Sequence, residues 1–410
     1  MVESSYHVRA VHCDYRANDE EIYQALQRSA SPLTGALDRL SKARRIAIKF
    51  NTDWPREKVV MHQGHRQQLV SDPVVRATLR LLREHTPAEL FSIDIGVEGH
   101  LTGAGLENCV NHLPVLEEFG VPYIDGHNEP VEWVQVPGGG QIFKKYPMPR
   151  ALVEADEVVS VQKLKNHSYM GITLCLKNLF GLMPLQPLGR PRGYYHHLLR
   201  MPYMLADIGR IMDPALNIID GLVCQAGQEW GKGEHPRICN TLISGDQAVA
   251  TDACGAHLMG HDPQSDWLTP PFHRDRNALL VAAQGGFGTV NLDEIDFQSE
   301  VQAPVGEFFA MQFDTQERVS SWRRTTAEQG LYYRDHRKEI ADKYANQYIL
   351  LQLNEVRWAD PTGNIRVSRR QLSGEHPDQA MWLKFVDPEE AEGEHYEVYE
   401  QTLQQIPIRK

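Results

Sequence analysis

The chain lacks the features that announce several common functions. Its 410 residues include six cysteines, Cys13, Cys109, Cys175, Cys224, Cys239 and Cys254, and no two are spaced as Cys-x-x-Cys. An iron–sulfur cluster needs closely spaced thiolates, so none is expected, nor is a disulfide framework; the scatter suits buried reduced thiols. Positive charge is in deficit, with 42 Lys and Arg against 54 Asp and Glu and a net charge of −12. General nucleic-acid binding requires a basic footprint, so no nucleic-acid partner is expected. No run approaches the roughly 18 to 20 apolar residues of a membrane span, so no membrane partner is expected. Met1-Val2-Glu3-Ser4-Ser5 lacks the basic-then-apolar pattern of a secretory leader, and the expected compartment is the cytoplasm. Gly-x-Gly-x-x-Gly after the first expected strand, the P-loop pattern and Gly-x-Ser-x-Gly are all missing, which argues against dinucleotide, nucleotide and α/β-hydrolase readings.

What is present reads as an ordinary globular protein, 41% hydrophobic and 23% charged. Residues 1–40 mix polar and helical signals, with a helix expected at 19–26. Short apolar strands at 46–50, 90–95, 121–125, 155–161 and 216–220 alternate with helices at 72–84, 113–119 and 198–212. This alternation predicts an α/β fold: a mostly parallel sheet with helices on both faces, in one or two lobes. After Phe297 the character changes. A charged helical stretch at 318–345, a hairpin around 347–358 and a strand at 381–386 predict a small C-terminal α+β appendage. The expected division is a core over 1–305 and an appendage over 306–410, the latter a surface for a homo-oligomer or a protein partner.

The densest chemistry follows the apolar strand ending near Val161. Lys163-Leu164-Lys165-Asn166-His167 is followed by Gly171-Ile172-Thr173-Leu174-Cys175-Leu176-Lys177-Asn178-Leu179-Phe180-Gly181. Ligands of parallel sheets bind beyond the carboxyl ends of the strands. Lys49, Asn51, Asp94 and His100 also lie just past such ends. A cluster of this kind predicts a small anionic ligand. A lysine desolvated beside other cations becomes a base or a Schiff-base nucleophile, or it clamps a carboxylate or phosphate. The candidate catalytic residues are His167, Lys177 and His100. Candidate substrate- or cofactor-binding residues are Lys49, Asn51, Asp94, Lys163, Lys165, Asn178, Asp220 and Asp252. His196 or His197 is a candidate metal ligand, though adjacent histidines point apart and at most one would ligate. The Pro-, Gly- and Arg-bearing stretch 184–195 is a lid candidate.

The pattern strand, Lys-x-Lys-x-His, Gly-x-Thr-x-x-x-Lys-Asn-x-x-Gly resembles the family catalogued as domain of unknown function 362. Ile46 to Asn51, Asp220-Gly221-Leu222-Val223, Gly231-Lys232-Gly233, Ser244 to Asp252 and Gly285-Gly286-Phe287-Gly288 extend the resemblance over about residues 40–300. Some members of that family carry a ferredoxin-like insert or appendage, and the resemblance implies no assigned activity. Ala226 stands where that family usually has Glu, with Glu229 nearby. A more distant resemblance, to the lactate racemase superfamily, rests on Glu154-Ala155-Asp156, His167, Gly171 and Lys177, with Gly99-His100 earlier. It implies a nickel-pincer-type or other metal cofactor on Lys177, and histidine acid/base action in hydride chemistry. Leu174-Cys175-Leu176 replaces the glycine-rich run that precedes that superfamily's lysine. The expected function is an enzyme, isomerase- or racemase-like or else oxidoreductase-like, performing proton or hydride transfer on a small anionic metabolite. Two alternatives stand beside it: an accessory electron-transfer protein without its own cluster, and a non-catalytic ligand-binding or scaffold protein.

Overall fold

The structure is a computed structural model that describes residues 6–229, 235–363, 376 and 379–406. Gly231-Lys232-Gly233 lies outside the described residues. In chain order the strands are β1 (Tyr6–His12), β2 (Arg45–Phe50), β3 (Met61–His62), β4 (His65–Arg66), β5 (Glu89–Asp94), β6 (Tyr123–Asp125), β7 (Val131–Gln135), β8 (Lys145–Pro149) and β9 (Glu157–His167). After these come β10 (Gly171–Thr173), β11 (Leu216–Gln225), β12 (Pro236–Gly245), β13 (Ile295–Ser299), β14 (Tyr348–Gln352), β15 (Glu355–Asp360) and β16 (Trp382–Phe385).

The main sheet runs β13-β1-β12-β11-β9-β2-β5-β6, with β10 folded back onto the end of β9. Its half from β11 to β6 is parallel; β12 is antiparallel to both β11 and β1. The fold is thus α/β with a large, mostly parallel sheet. Its first strand, β1, falls where the sequence suggested only polar and helical signals. His7, Arg9 and His12 interrupt its apolar pattern; His7 and Arg9 are satisfied by Asp246 and Asp296 at neighbouring strand ends.

Alternation along β9 divides the apolar residues between two cores, as a period of two requires. Val159 and Val161 face one core with Ile46, Ile48 and the helices Asp19–Ala30 and Asp72–His85. Val158 and Leu164 face the other, with Ala47 and the helix Arg200–Met212. The first helix carries a capping box in which Asn18 and Glu21 satisfy each other's backbone amides.

Beyond residue 305, β14 pairs antiparallel with β15 and β16, covered by the helices Gln316–Asp335 and Glu397–Gln405. One apolar cluster around Ile349, Leu351 and Trp382 takes in Leu198 and Leu199, while Leu350 and Leu383 join the main core. The unit is also fastened to the core by buried ion pairs. Arg200, fully buried, bonds Glu394 and the Leu383 carbonyl, and Arg323 pairs with Asp275. The 184–195 stretch, expected as a lid, is tied down by the same unit: Tyr194 and Tyr195 donate to the Glu392 carboxylate and are themselves buried. Among the described residues no helix is long and apolar enough to cross a membrane.

Candidate functional site

A cavity of about 370 Å³ lies beyond the carboxyl ends of β2, β5 and β9. Lys49 and Asn51 reach it from β2, Asp94 from β5, and Gln162, Lys165 and His167 from β9. Thr173 comes from β10, Lys177, Asn178, Phe180 and Gly181 from the turns after it, and Arg192, His196 and Glu229 from more distant loops. Asn178 explains why the strand ends hold their positions: its amide donates to the carbonyls of Lys49 and Val161, joining β2 to β9.

The cations differ in how they are satisfied. Lys49 is nearly fully buried and pairs with Asp94 at 2.6 Å while also donating to the Phe50 carbonyl. Gly181 makes room for this pair: a Cβ there would lie 2.6 Å from the Lys49 side chain and 3.1 Å from Asp94. Lys165 is buried and donates to the side chain of Asn51 and the carbonyl of Gln68, two neutral acceptors. Lys177 has no hydrogen bond or ion pair among the described residues. Its ammonium lies 4.9 Å from the centre of the Phe180 ring, and the Arg192 guanidinium lies 5.1 Å from the same ring. Burial, then the charge of Arg192, lowers Lys177 to about 7. Burial, with Lys177, Lys163 and Lys49 outweighing Glu229, lowers Lys165 to about 7.

His167 is held in one tautomer. Its Nδ1 accepts from the backbone amides of Tyr169 (3.0 Å) and Met170 (3.1 Å), so the neutral ring carries its proton on Nε2. That nitrogen is 3.6 Å from Glu229 Oε1. Burial, then Lys177, Lys165 and Arg192, hold the imidazole well below its ordinary value. Glu229 is positioned by the amide and hydroxyl of Ser168, both donating to its Oε2. Gln162 and Thr173 also line the cavity, and their Nε2 and Oγ1 atoms are closed off from solvent without a hydrogen-bond partner among the described residues.

The structure places Lys49, Asn51, Asp94, Lys165, His167, Lys177, Asn178 and His196 around this cavity, and the other candidates elsewhere. Lys163 lies directly opposite Asp220 in the β9–β11 register, and the two pair at 2.8 Å with no exposure. Ser71 also donates to Asp220 from its amide and hydroxyl. Asp252 points back into the fold, accepting the amides of Cys175 and Leu176. His100 is exposed, bonds Asp125 at 2.9 Å and stacks on His127. His197 is buried with its two ring nitrogens against the carbonyls of Leu198 and Met381. Among the described residues no three of His, Cys, Asp and Glu converge as a metal site. All six cysteines are free and buried.

Sequence reasoning missed Arg192, Gln162, Thr173, Phe180 and Trp54. Arg192 belongs to the irregular 184–195 stretch, so its arginine content was the available signal. Gln162 and Thr173 carry no charge and sit among apolar neighbours. A second cavity of about 150 Å³ shares His196 and Glu229 with the first and is closed by Phe313, Asp314 and Val319, residues beyond 305.

The fold is that of an α/β protein with a large, mostly parallel sheet. Residues 46–257 match the family described as Domain of unknown function (DUF362), and the chain belongs to that family. It is 23% identical over 246 residues to the thylakoid-associated protein sll1697 of Synechocystis sp., spanning 58% of this chain and 70% of that protein. Among solved structures it is similar to the lactate racemase apoprotein of Thermoanaerobacterium thermosaccharolyticum, at 15% identity and a TM-score of 0.35. That alignment covers 62% of this chain and 56% of the other.

The pincer-type nucleotide implied by the racemase resemblance can be tested against the residues. Lys177 is available for attachment. The two amides just before it, those of Cys175 and Leu176, are already taken by Asp252 and cannot cradle a phosphate. The leucines flanking Cys175 are buried. These residues do not fit the group, and no step below runs through it.

Proposed function

We propose that the protein is an enzyme that transfers a proton on a small carboxylate, an isomerase-like activity carried by the Lys165–His167–Lys177 cavity. The observation that carries this reading is the convergence of buried Lys165, half-buried Lys177 and a tautomer-fixed histidine on one cavity, with Lys177 in no hydrogen bond or ion pair among the described residues. A buried amine without a carboxylate partner exchanges protons near neutrality, which is what acid–base work requires. Lys177 and Lys165 together labilise and move the substrate's C–H proton. Arg192 binds the carboxylate.

His167 has a different part from the one its sequence context suggested. With Nδ1 occupied by two amides, it has no lone pair to offer the cavity and cannot serve as a base there. It donates Nε2–H to a substrate oxygen, stabilising the negative charge that develops as the proton leaves. The size of the cavity supports a small metabolite.

The test is solvent deuterium exchange. A panel of 2-hydroxy and 2-oxo acids is incubated with the protein in heavy water and followed by proton NMR. At least one member should lose its exchangeable C–H signal, at C2 of a 2-hydroxy acid or at C3 of a 2-oxo acid, and Lys177→Ala should abolish the loss. Exchange that persists unchanged in both Lys177→Ala and Lys165→Ala would contradict the reading.

A further inference from the structure

Lys177 stands apart from every other deeply placed cation of the site. Lys49 is neutralised by Asp94 and Lys163 by Asp220, and Lys165 donates to two fixed acceptors. Lys177 ends on the face of Phe180, and Arg192 ends on the same ring. One aromatic ring of the cavity lining therefore contacts both an amine and a guanidinium.

We infer that Lys177 is a covalent nucleophile that forms an imine with the carbonyl carbon of a 2-oxo acid whose carboxylate is held by Arg192. The inference rests on the proton-transfer reading and deepens it. In a 2-oxo acid the carbonyl carbon is bonded directly to the carboxylate carbon. A carboxylate on Arg192 brings that carbonyl to the neighbouring amine, which a ketone farther along a chain would not achieve. The leaving oxygen needs donors; the lining residues Gln162 and Thr173 carry Nε2 and Oγ1 groups that are closed off and without a protein partner, and a rotation of either side chain turns its donor to the ligand. Their unmet hydrogen-bonding capacity costs stability unless a ligand oxygen fills it.

The step balances without another reactant. The neutral amine adds to the carbonyl carbon, giving a carbinolamine. The carbonyl oxygen then leaves as water with both amine hydrogens, and a carbon–nitrogen double bond replaces the carbon–oxygen one. The Lys165 ammonium protonates the imine nitrogen, which becomes an electron sink that acidifies the C3–H, and the resulting neutral Lys165 amine takes that proton. Burial keeps a substantial fraction of Lys177 neutral near pH 7, as the first addition requires.

The test uses the full chain with pyruvate or glyoxylate as probes and cyanoborohydride to reduce any imine, followed by peptide mass spectrometry. Lys177 should be labelled at least roughly tenfold faster at pH 7 than exposed Lys42. A simple aldehyde without a carboxylate should lose that preference, as should the Arg192→Gln variant with either acid. Lys177→Arg should remove this adduct and leave labelling of surface lysines unchanged. Labelling of Lys177 no faster than Lys42 by both acids overturns the inference. If deuterium exchange persists in that case, the proton-transfer reading stands and only the imine falls. Labelled Lys177 with no exchange on any acid keeps the imine and removes the proton transfer.

Discussion

Two regions draw cations away from solvent, Lys384 fully and Lys177 in part, and treat them in opposite ways. In the C-terminal unit, burial alone would lower Lys384. Glu394, with Tyr396, Tyr194 and Glu390, instead raises it well above its ordinary value. Lys384 donates to Glu394 at 2.8 Å, and Arg200 bonds the same carboxylate at 2.8 Å. At the sheet edge, Lys177 has burial and Arg192 acting in the same direction, with Glu229 only a partial counterweight. A buried cation with a hydrogen-bonded carboxylate is a fastening. One without such a partner is a titratable group poised near neutrality, and its cost is tolerated where chemistry uses it.

The largest effect expected from this contrast is on stability. Glu394→Ala leaves Arg200 buried without its carboxylate and Lys384 with Glu390 alone, and should cost about 3 to 5 kcal/mol in denaturant titration. Burial works against the Glu394 charge, but Arg200 and Lys384 hold its pKa at about 2, below the ordinary 4.5. A depressed carboxylate stabilises the fold fully above its unfolded value. The C-terminal attachment should therefore weaken as pH falls from about 4.5 towards about 2, and Glu394→Gln should flatten that part of the profile.

Activity should respond most to the unpaired cation. Lys177→Ala should lower turnover by about a hundredfold or more in the exchange assay. The same position should show a stability effect of the opposite sign to Glu394. The unfolded chain holds the Lys177 proton up to about pH 10.5, whereas the folded state releases it near 7. The folded state is thus penalised most below pH 7, and the penalty fades as pH rises towards 10.5. Lys177→Met should raise the melting temperature by a few degrees at pH 6 and by little at pH 10. A lower melting temperature at pH 6 would place a hidden partner on this lysine.

His167→Gln should cost only about tenfold in turnover, because glutamine can still donate a hydrogen bond; a general base lost at this position would cost about a hundredfold or more. His100→Ala should be the smallest effect, within about twofold, since this exposed histidine bonds Asp125 and does not line the cavity.

Much of the fold was legible because apolar strands alternate with helices along 46–257. The site was legible only as a density of lysines and histidines. Lys163, Lys165 and His167 share one strand face by alternation, and nothing local shows that Lys163 is consumed. Its fate is set by register, since β11 brings Asp220 opposite it from 57 positions away. His167 read as a base because the amides of Tyr169 and Met170 that occupy Nδ1 depend on the shape of a turn. Arg192 and Glu229 come from irregular stretches that periodicity does not reach. β1 was missed because its charged residues find their partners only across the sheet.

The central claim is that Lys177 is an unpaired amine that titrates near neutrality. The direct measurement is the pH dependence of its reaction with a small acylating reagent, followed residue by residue by mass spectrometry from pH 5 to 11. Lys177 should react with an apparent pKa of about 7, while Lys384 stays unreactive in the folded protein throughout. A Lys177 profile that rises only near pH 10.5, together with the surface lysines, would contradict the account.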